Sequence, residues 1–118
     1  MKRANLFCEE YKKRMNRPPL IKYYRNPETR QLIGCVVFVD IGTWGWAQCH
    51  SRDNFDKKLA VRIAMERANK WKNLEQIPEP PSKRIRTSKG TIESWVLFND
   101  TVETLFERSQ RYFMKGEE

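Results

Sequence analysis

Cysteine and histidine are scarce in this chain: Cys8, Cys35 and Cys49 are the only cysteines and His50 is the only histidine. An odd cysteine number without C-x-x-C spacing argues against a disulfide framework and fits a reducing compartment, with the thiols serving as small buried apolar groups. A tetrahedral metal site needs convergent ligands, and adjacent Cys49 and His50 point to opposite faces of a strand. No metal and no other cofactor is expected. The same alternation leaves a Cys–His dyad only through Cys8 or Cys35. Also missing are a glycine-rich phosphate loop, paired-carboxylate spacing and a Gly-x-Ser-x-Gly elbow, while Asp53 and Asp56 are better placed to start a helix than to hold magnesium. The expectation is a protein that is not an enzyme. No apolar run approaches the ~20 residues of a membrane span, and Met1-Lys2-Arg3-Ala4-Asn5 leads into a polar amphipathic stretch rather than a signal-peptide core. A cytoplasmic protein with no membrane partner is expected.

What the chain has in excess is positive charge. Its 118 residues carry 23 Lys and Arg against 15 Asp and Glu, a net charge of +8. Residues 1–73 hold 16 basic and 7 acidic groups, a balance of +9, whereas residues 74–118 hold 7 and 8, a balance of −1. One strongly basic half points to a polyanionic partner, either nucleic acid or an acidic protein surface. With 39% hydrophobic residues, the chain can still bury a core, and its length suits one domain.

Hydrophobic periodicity divides the chain into an α+β order. Leu6, Phe7, Tyr11 and Met15 recur at helical spacing over 5–16, and Pro18-Pro19 ends that helix. Leu20–Arg25 reads as a strand, 26–29 as a turn, and Leu32–Ile41, rich in valine, as the clearest strand. Trp44–His50 returns antiparallel through the Gly42–Gly45 region. Asp53–Lys72 is the best helix, with Asp53 or Asp56 as cap. Its apolar arc holds Leu59, Ala60, Val61, Ile63, Ala64, Met65, Ala68 and Trp71, against Lys58, Arg62, Glu66, Asn69 and Lys70 on the other side. Ala60, Ala64 and Ala68 lie one turn apart and predict a close approach to the strand face carrying Gly45, Ala47 and Cys49. Residues 76–90, with three prolines and a basic run, read as an extended linker. Residues 91–98 follow as a strand, and Asp100 with Glu103 makes a capping-box-like start for a last helix. The expected organisation is a basic α-β-β-β-α core over 1–75, a linker over 76–90, and a β-α extension over 91–118 that packs on the core as part of one domain.

The order of elements over residues 5–72, with Lys57-Lys58-Leu59-Ala60 followed by Ala64 and Ala68, resembles the double-stranded-RNA-binding domain, whose second helix opens with paired lysines and is alanine-rich. The resemblance implies that the paired lysines reach phosphates across a groove, with the first helix and first hairpin loop touching flanking minor grooves. The family's Gly-Pro-x-His segment is replaced here by Asn26-Pro27-Glu28-Thr29-Arg30, so contact through that loop is not implied. A second, narrower likeness covers residues 49–68: Cys49-His50-Ser51-Arg52-Asp53-Asn54-Phe55-Asp56-Lys57-Lys58, then Arg62-Ile63-Ala64 and Arg67-Ala68. It resembles a segment of small bacteriophage-encoded proteins without assigned activity, which implies a viral origin in a bacterial host.

Two functions follow from these readings. The first is non-enzymatic binding of nucleic acid, duplex rather than single-stranded, through Lys57, Lys58, Arg62 and Lys70, with Lys12, Lys13 and Arg17 as a second contact zone. Counterion release supplies the affinity, and the helix start at Lys57 and Lys58 adds its amide dipoles. The second is an anti-defence protein, such as an anti-CRISPR inhibitor, that presents the same cations to a host defence protein. Two arrangements of the aromatic strand face also stay open. Trp44, Trp46, Gln48 and His50 share one side, which the last helix can cover through Phe106 and Phe113. Left bare, Trp46 and His50 would form a stacking platform for unpaired bases.

Overall fold

The computed structural model of the chain describes residues 17–49 and 56–114. They form an α+β fold in the order β1 (Leu20–Arg25), β2 (Leu32–Asp40), β3 (Thr43–Gln48), α1 (Lys57–Trp71), β4 (Arg84–Thr87), β5 (Gly90–Glu93) and α2 (Ser94–Met114). Strands β1-β2-β3 make an antiparallel meander, and β4-β5 make a separate two-stranded sheet. The helix expected over 5–16, with Cys8, Lys12 and Lys13, lies outside the described residues, as do His50 and Asp53. Among the described residues, no helix is long and apolar enough to cross a membrane.

Strand β2 is buried along Gly34–Phe38, which happens to a strand only when both sheet faces are covered. On one face Cys35, Val37 and Ala47 pack against Ala60 and Ala64 of α1. On the other, Tyr24, Val36, Phe38 and Trp46 pack against Phe98, Leu105 and Phe113 of α2. The expected row Ala60, Ala64 and Ala68 supplies all the buried residues of α1. Those alanines let the helix settle so close that a Cβ at Gly45 would collide with the Ala64 carbonyl oxygen and lie 2.6 Å from the Ala68 nitrogen. The apolar arc is narrower than periodicity suggested: Leu59 is 50% exposed, because the helix is held over the small residues at its centre. Asp56 caps α1, its carboxylate accepting the Leu59 amide at 3.1 Å.

Two expectations over residues 76–98 are corrected. The basic stretch is not a plain linker. Arg84–Thr87 pairs with Gly90–Glu93 in register Arg84↔Glu93 through Thr87↔Gly90. The Pro-rich part before it runs beside β3, where the Trp46 indole donates to the Pro78 carbonyl at 2.6 Å and Gln48 Nε2 donates to the Pro81 carbonyl at 2.7 Å. Prolines cannot extend the sheet, so side chains of the edge strand make the junction instead. The second correction concerns the strand expected over 91–98, which stops at Glu93 while α2 begins at Ser94, well before Asp100. Trp95, Val96, Leu97 and Phe98 favour strands locally, but burial of Ser94, Phe98, Thr101, Leu105, Ser109 and Phe113 along one helical stripe outweighs that preference.

The close seat of α1 yields a direct test. Gly45→Ala and Ala64→Leu are each expected to lower stability by about 1–3 kcal/mol through overpacking. Leu59→Ala on the same helix should change it by about 0.5 kcal/mol or less. Urea unfolding midpoints read the difference, and equal midpoints for all three variants would contradict the packing described.

Candidate functional site

In a meander, the β1–β2 turn and the β2–β3 turn lie at opposite ends of the sheet. The β1–β2 turn is built by Asn26, whose side-chain oxygen accepts the amides of Glu28 at 2.9 Å and Thr29 at 3.2 Å, while the Arg30 amide donates to the Asn26 carbonyl at 2.8 Å. Closing this turn puts Arg30 in the left-handed region, φ 65°, which glycine or asparagine ordinarily occupies. Arg25 Nη1 donates to the Arg30 carbonyl at 3.2 Å. Two guanidinium groups therefore belong to this end of the sheet.

Helix α1 brings its start to the same end. It runs antiparallel to β3, with Ala60 near Ala47 and Ala68 near Gly45, and the Lys57 ammonium lies 5.3 Å from the centre of the Tyr23 ring of β1. The β4-β5 sheet closes on this end as well. The Lys83 ammonium donates to the Cys49 carbonyl just beyond β3. At the hairpin tip, the Ser88 amide and hydroxyl both donate to Glu28 Oε2 at 2.7 Å. Arg84, Arg86 and Lys89, all exposed, thus join Arg25, Arg30, Lys57 and Lys58. The acidic groups here are largely engaged: Glu28 with Ser88, Asp56 with the helix cap, and Glu93 with Ser82 Oγ at 2.9 Å and Arg84 at 3.8 Å.

The residues expected to form the site separate under this geometry. Lys57 and Lys58 stand exposed at the basic end, and Arg62 follows one turn later, exposed and 3.5 Å from Glu66. Lys70 is exposed too, but sits about 20 Å away at the other end of α1, given 1.5 Å per residue. Arg17, expected in a second contact zone with Lys12 and Lys13, lies apart from the cations of α1. Its guanidinium donates to the Tyr112 carbonyl near the end of α2 and lies 5.9 Å from the Tyr112 ring centre, on the other side of the sheet from α1. Lys12 and Lys13 fall outside the described residues. The helix start carries one of its two expected caps, because the Asp56 carboxylate accepts the Leu59 amide there, so this amide is not free to meet another anion.

The aromatic face is core. Trp46 is 8% exposed, edge-on to Phe98 at 6.2 Å and beneath the Arg67 guanidinium at 4.6 Å, so it offers no platform for a base. Arg67 also donates to the Trp46 carbonyl at 2.9 Å, which removes this cation from the exposed set. His50, the other proposed stacking residue, is outside the described residues. Burial pushes the Cys35 thiol up to about 11, so it stays protonated at neutral pH, and lifts the Tyr24 hydroxyl above its ordinary range. Tyr24 instead donates to Gln48 Oε1 at 2.7 Å. Among the described residues, no group of His, Cys, Asp and Glu could hold a metal ion. Sequence reasoning missed Arg25, Arg30, Arg84, Arg86 and Lys89 as members of one surface; the alternation Arg84-Ile85-Arg86-Thr87 was the available signal for the hairpin. No protein-family model, no curated protein and no solved structure matches the chain.

The hairpin clamp has a pH signature. Its two hydrogen bonds hold the Glu28 carboxyl below its ordinary value of 4.5. A carboxyl lowered on folding contributes stability above its unfolded pKa and loses it as pH falls through the lowered folded pKa, so the tip should release below about pH 4.5. Ser88→Ala, which removes the hydroxyl donor, should raise the Glu28 titration midpoint toward the ordinary value. Carboxyl-detected NMR titration reads both effects; an ordinary midpoint in the parent chain would rule out the clamp.

Proposed function

We propose that this chain is a non-enzymatic nucleic-acid-binding protein that seats the phosphates of a duplex against the basic end of its sheet. The observation that carries the reading is the convergence there of cations from three separately folded elements: the half-buried Arg25 and the exposed Arg30 at the β1–β2 turn, and the exposed Lys57, Lys58 and Arg62 on α1 and Arg84, Arg86 and Lys89 on the hairpin. Cations held on different elements can follow a backbone whose charges are spread over a curved surface, and each phosphate neutralised releases condensed counterions. Burial of Trp46 supports a duplex over unpaired bases, since it takes away the stacking surface that a single strand needs. Arg30 adds a second support. A left-handed backbone costs a side-chain-bearing residue about 1 kcal/mol or more relative to glycine, and strain of this kind accumulates where a side chain has a task.

Three outcomes test the reading. Fluorescence anisotropy with RNA and DNA duplexes of about 20 base pairs should give an affinity that falls steeply with salt. Lys57→Glu with Lys58→Glu should weaken it by about tenfold or more and flatten the salt slope by roughly 2, one for each lost phosphate contact. Arg30→Gly should raise the melting temperature while weakening the duplex, an opposition that a merely structural residue would not produce. Salt-insensitive binding, or binding unchanged in the double variant, would overturn the proposal. A single bacterial protein that remains bound after nuclease treatment, with no duplex affinity, would assign the same cations to a host defence target instead.

A further inference from the structure

The opposite end of the sheet has a different chemistry. Beyond the β2–β3 turn, the segment after α1 runs beside α2 and leaves an open groove of about 670 Å³. Trp44 and Val102, both half-buried, contribute apolar surface to it, and Leu74 and Ile77 line the facing wall. Leu74 is 51% exposed, and Phe106, one turn beyond Val102, is 42% exposed, so the apolar surface continues past the groove. Glu75 and Glu79 are the only charged residues in the lining, and among the described residues neither forms an ion pair. The wall is also preformed. The Leu74 amide donates to the Trp71 carbonyl at 3.0 Å, the Trp46 indole holds the Pro78 carbonyl, and Pro80 is buried.

We propose that this groove docks an extended segment of a partner protein that bears arginine or lysine beside apolar residues. Charge complementarity identifies the occupant. The chain carries +8, yet the only charged side chains lining this groove are carboxylates, which suits a cation whose hydrocarbon or guanidinium face lies on the half-buried Trp44 while its N–H groups meet Glu75 and Glu79. The basic excess lies in residues 1–73, so a cationic segment is repelled at the basic end of the sheet and not at this one. A peptide suits an open groove of mixed polar and apolar lining better than a compact small molecule, which binds where most of its surface can be enclosed. Because the wall is held in place before binding, little ordering is required on the protein's side. The proposal uses none of the cations assigned to nucleic acid and stands apart from that reading.

The test titrates a synthetic acetylated and amidated peptide of alternating leucine and arginine into the full chain at low salt, followed by calorimetry and amide NMR, beside a control peptide with glutamine in place of arginine. Saturable binding of one arginine peptide per chain is expected, with shifts at Trp44, Leu74 and Val102. Glu75→Lys with Glu79→Lys should weaken it by about tenfold or more. Asp100→Lys with Glu107→Lys, exposed on the outward side of α2 and equal in charge change, should leave it nearly unchanged. Equal loss in both double variants, equal binding of the glutamine peptide, or no binding would overturn the proposal. Self-association of the free chain that the groove variant abolishes, without peptide binding, would make a second copy the occupant.

Discussion

The seating of α1 on the sheet, with Ala60, Ala64 and Ala68 against Gly45 and Ala47, constrains what the other elements can do. A helix this close buries only alanines, and its lysines and Arg62 are exposed while Arg67 lies over Trp46. It also fills one face of β2 completely, which leaves the aromatic face to α2. With both faces occupied, neither face of the sheet is open to a ligand.

The two ends of the sheet are chemically unlike. The β1–β2 turn, the start of α1 and the β4-β5 hairpin gather cations whose acidic neighbours are mostly engaged in capping or clamping. The β2–β3 turn and the segment after α1 gather exposed apolar groups with two carboxylates. A meander separates its two turns by the full length of its strands, so the polarity follows from topology once the turns have different sequences. The duplex proposed for one end and the cationic peptide proposed for the other would share no residues.

Much of this fold was legible in the sequence. The alternation in β1–β3 and the alanine row of α1 place residues correctly because each reflects a single buried face, while the cover over Trp44 and Trp46, left open by the sequence, is supplied by Phe98, Leu105 and Phe113 of α2 rather than by the exposed Phe106. The misreadings have one cause, which is that local composition was weighed where tertiary burial decides. Lysine, arginine and proline around residues 76–90 signal a linker, yet Arg84 and Arg86 alternate with the half-buried Ile85 and Thr87 in a paired strand. The stripe of α2 includes Thr101 and Ser109, whose hydroxyls donate to the Leu97 and Phe106 carbonyls of the same helix. A pattern built on apolar residues alone therefore misses its first turns. The basic end escaped notice because its members lie far apart in sequence and meet only when Ser88 reaches Glu28.

Placement of a duplex at that end is the claim on which the functional reading rests, and amide NMR mapping with a short RNA or DNA duplex tests it most directly. Shifts are expected at residues 25–31, 57–62 and 84–89, with Trp44, Leu74 and Val102 unmoved. Shifts concentrated at the β2–β3 end, or none at the β1–β2 turn and hairpin under conditions of saturating duplex, would contradict it.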